Sequence, residues 1–412
     1  MDLSRLKVVD GFGHLFDPVR SGERGGLVAD AGRDFYSFAR EWSVATFHPT
    51  RDRMEETVLL RRVVRELAAL LGCEPDPETL RSVRDQRYLA DPRRYIQELW
   101  SSAGIEMMLF DTGSPTVGEV SLDLMRRNLP CEFRTIHRIE AAIHELLATT
   151  PPFHDGLRAF TDSIDRAVLE DRVVGLKSVG SYFTGLDVEV FDESVAKRAY
   201  EALRASTDPR IKPLGPPPGP DEPIFTESAV RHLVSHDGKI VRDFFFTVAM
   251  RKALEHDIPF LIHTGLGGGP YYDMNRAHPL LLHDVLADDD LRPVKVVIVH
   301  GGYPWPEESG YLANHFDNVY VDIGEMFPMA GPGMTRRFST LLEMAPTNKI
   351  MYGSDGFGIP EIFWFAAVQG KRAIGSALDE LISDEWLTER EAWRIAESIF
   401  SANARRLYRL DN

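Results

Sequence analysis

The chain has 412 residues, 43% of them hydrophobic, a formal net charge of −16 and only two cysteines, Cys73 and Cys131. This composition fits a globular protein with a large core and argues against a disordered chain, a disulfide scaffold or a membrane-spanning helix, which needs ~20 consecutive apolar residues. The acidity argues against a nucleic-acid partner, and the start Met1–Lys7 lacks the apolar core of a signal peptide; we therefore expect a cytoplasmic protein with no membrane partner and both thiols reduced.

In chain order, eight strand-like apolar runs recur, each followed by polar or glycine residues and then a helical pattern. They are Leu6–Asp10, Glu106–Asp111, Phe133–His137, Val173–Lys177, Ile258–His263, Val294–His300, Asn318–Ile323 and Lys349–Asp355. The run from Val294 to Val299 is almost continuous in β-branched residues, as strands covered on both faces are. Alternating strands and helices predict a parallel α/β fold, and eight such strands predict a TIM (β/α)8 barrel, read as one domain over residues 1–412. Between the first and second strands, about residues 20–100 leave room for several helices, and Met54–Leu71 carries apolar residues at helical spacing. We expect an inserted helical cap there. Residues 206–223 hold seven prolines and predict an extended connection. Phe244-Phe245-Phe246 reads as the start of a core helix, and the C-terminal helices carrying Trp386, Trp393 and Leu407 are expected on the barrel exterior.

Reactive side chains of such a barrel sit where strands end. Here the strand ends offer His14, Lys177, His263, His300 and Asp355. Imidazole and carboxylate from separate strands are ligands for zinc, iron or manganese, and they leave positions open for water or substrate. A lysine at the mouth is either an ammonium or, once carboxylated, a metal-bridging carboxylate. The ordinary alternatives are hydrogen-bonded histidines at strand ends, a loop-capping aspartate and a lysine paired with an acid. His137, ending the third strand, is a further candidate for the pocket wall.

At these positions the chain resembles the amidohydrolase superfamily, in the branch that includes the N-terminal domains of some glutamine-synthetase-like fusion proteins. The likeness runs through Gly175-Leu176-Lys177-Ser178 with Tyr182 and Gly185-Leu186-Asp187, His263-Thr264-Gly265, and His300 with Tyr303-Pro304 and Ser309–Ala313. It continues through Leu342–Asp355 and Asn403–Tyr408. The resemblance implies that His14, Lys177, His263, His300 and Asp355 form a metal centre of two divalent ions, with Asp355 and Lys177 catalytic and Tyr182 at the substrate.

Two departures modify this expectation. The family's first strand carries His-x-His, whereas the earlier position here is Phe12, which has no donor atom. Either one metal site is lost, leaving a mononuclear centre, or another group supplies the donor, the candidates being Asp10, Glu56 in the inserted helix and Glu325 beyond the seventh strand, Glu325 also as a substrate contact. The second departure is Gly267-Gly268-Gly269-Pro270 after His263, where relatives carry aspartates; it implies altered substrate recognition.

A standard member activates water on its metal pair to attack an amide, ester or lactone. An oxygen-rich replacement for the lost imidazole shifts the ligand style toward non-haem iron. The expectation from sequence is therefore a diiron monooxygenase that uses O2 to hydroxylate a bulky, CoA-linked substrate, on the precedent of the platensimycin and platencin monooxygenase, which shares this scaffold. Metal-dependent hydrolysis is the alternative, followed by non-oxidative decarboxylation and a binding protein on a decayed barrel. Substrate identity and oligomeric state, a homo-oligomer included, stay open at this stage.

Overall fold

Eight parallel strands pair in chain order: β1 (Val8–His14), β2 (Ile105–Asp111), β3 (Glu132–Arg138), β4 (Gly175–Ser178), β5 (Phe260–His263), β6 (Val296–Val299), β7 (Val319–Asp322) and β8 (Ile350–Met351). The computed structural model describes residues 1–16, 56–113, 122–206, 235–268, 272–329 and 331–411. The sheet curls until β1 meets the end of β8: Gly13 bridges Gly356, Gly11 N donates to Tyr352 O at 3.0 Å, and His14 N donates to Gly356 O at 2.7 Å. This is the expected TIM barrel.

Alternate residues of each strand enter two different cores. Leu261, Val297, Val299 and Met351 face inward with Val9, Phe12, Leu109 and Ile136, whereas Phe260, Ile262, Val296, Ile298 and Val321 pack outward against the helices. Burial on both faces explains why the strands read as unbroken apolar runs. The triple phenylalanine lies fully inside the helix His236–Glu255, as expected of core.

Among the described residues, the insertion after β1 contains the helices Val58–Leu71, Pro77–Ala90 and Pro92–Ala103. The first begins where the Thr57 side chain accepts from Leu60 N and ends at Gly72 in the left-handed conformation; the other two carry proline at the first turn behind the aspartate caps Asp76 and Asp91. Their described part buttresses the long helix Pro360–Ser383, where Arg84 and Tyr95 bind Glu361 and Ser102 accepts from Trp364 Nε1. Residues 17–55 of the expected cap and 207–234, which take in nearly all of the proline-rich connection, lie outside the described residues. One expectation is corrected at the C-terminus: Leu407 packs with Tyr408 and Leu410 among the inward-facing strand residues, because the helix Asn403–Tyr408 turns its apolar side to the barrel interior. Trp386 does sit outside, well exposed.

Candidate metal centre

Alternation alone would aim His300 at the helices, because Val299 before it faces inward. Its φ of 69° turns the side chain back into the barrel. Glu325 and Asp355, just past β7 and β8, have φ of 57° and 51°. Left-handed backbone costs an L-residue ~1–2 kcal/mol, with aspartate and histidine among the side chains that adopt it most readily. Three such residues at adjoining strand ends are the kind of strain that folds retain at functional positions.

The three side chains converge. His300 Nδ1 lies 3.7 Å from Glu325 Oε2 and 3.9 Å from Asp355 Oδ2, and one ligand atom from each residue falls within 4.8 Å of the others. All three residues are buried, and His300 Nδ1 and Glu325 Oε2 have no hydrogen-bond partner among the described residues, while Asp355 Oδ1 has only a His14 imidazole beside it. Behind them His300 Nε2 sits 2.9 Å from His263 Nδ1, and His14 Nε2 is 3.1 Å from Asp355 Oδ1. More than nine in ten buried polar groups are satisfied, so a knot of unsatisfied donors and acceptors marks the place of a missing ligand.

Electrostatics divide the group. Burial pushes the His300 imidazole down to about 3 and holds His263 well below the usual range. Burial pulls Asp355 upward, but the His300 and His14 imidazoles outweigh it and keep the carboxyl below its ordinary value. Glu325 is driven well above its ordinary value by burial and by the Asp355 charge. The environment thus pushes the two carboxyls apart, Asp355 toward the ionised form and Glu325 toward the protonated one.

The remaining expected residues fall on both sides of the outcome. Lys177 is fully buried with Nζ 4.2 Å from the centre of the Phe12 ring, and burial lowers it to about 8. Tyr182 stacks on His263 at 4.6 Å between ring centres and on Tyr272 at 4.4 Å, and its hydroxyl accepts from Gly268 N at 3.2 Å. A Cβ on Gly267 would stand 2.8 Å from the Tyr182 hydroxyl oxygen, so the glycine loop lets the tyrosines close over His263. The structure does not bring Glu56 to the centre: its side chain is 76% exposed and pairs with Arg61 at 2.6 Å, because it precedes the cap of an outer helix. His137 is in register with outward-facing Leu176, one residue before Arg138, and so faces away from the barrel interior.

Sequence reasoning missed several residues. β3 runs one residue further than predicted, to Arg138, whose Nε and Nη2 donate to Asp111 Oδ2 at 2.9 and 2.5 Å. Glu140 accepts from the Ser178 hydroxyl at 2.6 Å and from Val179 N at 2.8 Å, fixing the chain just past Lys177. Asp322 ends β7, accepts from Gly324 N at 2.8 Å, and is raised by burial to about 8. Gly353 lets it in, since a Cβ there would lie 2.4 Å from Asp322 Oδ2. Strand-final position was the signal available for Asp111 and Asp322.

The sequence profile of the amidohydrolase family matches residues 155–410. The chain belongs to the amidohydrolase family. It is 28% identical over 383 residues to Protein fluG of Emericella nidulans, a match covering 86% of this chain and 41% of that protein, so the chain spans about two fifths of this relative's length. In fold, this amidohydrolase is similar to a Lactobacillus casei ATCC 334 protein assigned as a metal-dependent hydrolase, with a TM-score of 0.79 at 21% identity over 100% of this chain and 98% of that one. It is also similar to glucuronate isomerase from Caulobacter crescentus, at 0.63 and 14% over 99% and 92%. Among the described residues no helix is long and apolar enough to cross a membrane.

Proposed function

We propose that this amidohydrolase is a metal-dependent hydrolase that opens an amide, ester or lactone of a small molecule, with a divalent cation held by His300, Glu325 and Asp355. One observation carries the reading: these three buried residues present ligand atoms within 4.8 Å of one another, and His300 Nδ1 and Glu325 Oε2 lack a hydrogen-bond partner among the described residues. One imidazole and two carboxylates suit zinc, manganese or iron. A cation bound there supplies Lewis acidity, lowering the pKa of a water and polarising a carbonyl.

The chain's own groups account for the rest. His300 Nε2 lies 2.9 Å from His263 Nδ1, a contact that orients the His300 ring with Nδ1 on the side of the carboxylates. Asp355, ionised at neutral pH, takes the proton from the attacking water and returns it to the leaving group, with His14 Nε2 steadying Oδ1 from 3.1 Å. Tyr182 and Tyr272 form an aromatic wall beside His263 that excludes water from that side. The proposal treats the chain as a single catalytic domain acting in the cytoplasm.

A second reading has its own support. Glu325 makes the set richer in oxygen, the ligand style of iron centres that activate O2, and this favours a monooxygenase; the bulky, CoA-linked substrate rests on the sequence precedent alone. Metal analysis of aerobically and anaerobically purified protein, paired with p-nitrophenyl ester hydrolysis and an oxygen electrode, separates the two. Zinc- or manganese-dependent ester cleavage without oxygen uptake is expected. Oxygen consumption by the ferrous protein would move the conclusion to the monooxygenase, and no metal with no metal-dependent melting shift would remove both.

A further inference from the structure

Two side chains at the centre carry a charge of the wrong sign for a cation site, and of these Arg138 is engaged by Asp111 whereas Lys177 has no hydrogen-bond partner among the described residues. The Lys177 Nζ lies wholly out of solvent and stands 4.2 Å above the Phe12 ring. The carboxylates of Asp111, Asp355 and Asp322 favour its charge while Arg138, itself paired with Asp111, opposes it, and Asp10 Oδ2 and Asp322 Oδ2 are buried without hydrogen-bond partners among the described residues. An uncompensated buried ammonium costs several kcal/mol, whereas a desolvated cation over an aromatic face gains ~2 kcal/mol and nearby carboxylates add to that. Phe12 is itself locked, edge-on to His14 at 5.4 Å and to His300 at 6.0 Å. Among the described residues a single barrel group offers three ligand atoms close enough for an ion, and it includes neither Asp10 nor Asp322.

We propose that the Lys177 ammonium, seated on Phe12, serves as the built-in second cation of this centre, so that the chain binds one divalent ion where two are implied by its resemblance. The inference rests on the metal-centre reading above. Lys177 neutralises the acids on its side of the site, and Phe12 occupies the space between the two imidazoles with a ring that cannot ligate. Lys177 therefore stays an unmodified amine, and its role is to position and balance charge.

The test counts ions and examines the amine. Metal-free protein is reloaded with Mn2+ or Zn2+, desalted and analysed by mass spectrometry of the metal, while protein equilibrated with 13C-bicarbonate is examined by 13C NMR for a lysine carbamate. We expect one ion per chain and no carbamate signal in the native protein, one ion still in Lys177→Met, and a gain toward two ions in Phe12→His. Two ions per native chain, a carbamate resonance, or loss of the ion in Lys177→Met would overturn the inference and leave the hydrolase reading standing. Zero ions in the native protein would end both. The native measurements decide the matter even where a variant does not fold.

Discussion

Two buried charge clusters in this molecule look alike in composition and differ in their accounts. Beside the barrel, Glu361 takes Arg84 Nε at 2.7 Å and the Tyr95 hydroxyl at 2.9 Å, and all three side chains are buried. At the mouth, His300, Glu325 and Asp355 are equally buried, yet they leave ligand atoms unmatched. Burial of charge therefore does not identify a functional site; burial without satisfaction does. The first cluster ties the inserted helices to the long helix Pro360–Ser383. The second stores its unmet valence for something the fold itself does not supply.

Variants that treat the clusters differently break or sharpen that contrast. The largest effect is expected from Glu361→Ala, which takes the most buried acid from Arg84 and leaves it Asp85 at 3.1 Å; it should cost ~3 kcal/mol in a denaturant melt, with metal per folded chain unchanged. Lost metal in that variant would mean the clusters are coupled. Glu325→Gln should act in the opposite sense: it removes a buried acid facing Asp355, so the metal-free protein melts higher, while metal affinity falls by ~100-fold or more in a competition titration. A variant that loses stability and keeps its metal would return Glu325 to the structural class. His263→Phe withdraws the group that orients His300 and should weaken metal binding by ~10–100-fold, as loss of an outer contact to a ligand does.

The smallest predicted effect concerns pH. Burial and the Asp355 charge hold the Glu325 carboxyl well above its ordinary value, so wherever it is protonated the cation must displace that proton. Raising the pH removes that competitor, and metal affinity should rise by up to ~tenfold per pH unit until Glu325 is ionised. The stability of the metal-free fold runs the other way: with a raised folded pKa, the contribution of Glu325 is fully present below its unfolded value and is lost as the pH climbs through the folded one. Metal affinity that does not change between mildly acidic and mildly alkaline buffer would exclude Glu325 as a ligand.

Much of the architecture was legible because two-sided burial forces strands to read as apolar runs, and because strand ends are where a barrel exposes chemistry. His263 and Lys177 follow directly from alternation past Leu261 and Leu176. His14, His300 and Asp355 were legible as residues, although nothing local in the sequence announces that His300 and Asp355 adopt left-handed backbone. Glu325 was harder, since its approach depends on that turn and not on any periodicity. Glu56 misled because a carboxylate at the head of an outer helix is indistinguishable, in one dimension, from one aimed at the mouth. Arg138 was missed by one residue of strand length, and the inward turn of Leu407 needed the position of a helix relative to the barrel floor.

The conformation shared by residues 300, 325 and 355 also limits how this centre can vary. Ordinary helix or strand positions accept most side chains, but a left-handed position tolerates glycine, asparagine, aspartate and histidine and penalises β-branched residues. His300 and Asp355 already belong to that short set, so few exchanges there keep both shape and donor. Glu325 does not belong to it. Exchange of Glu325 for glycine or asparagine would relax the backbone while removing the carboxylate, which makes residue 325 the position where drift toward a more comfortable chain and drift toward an empty centre are the same step.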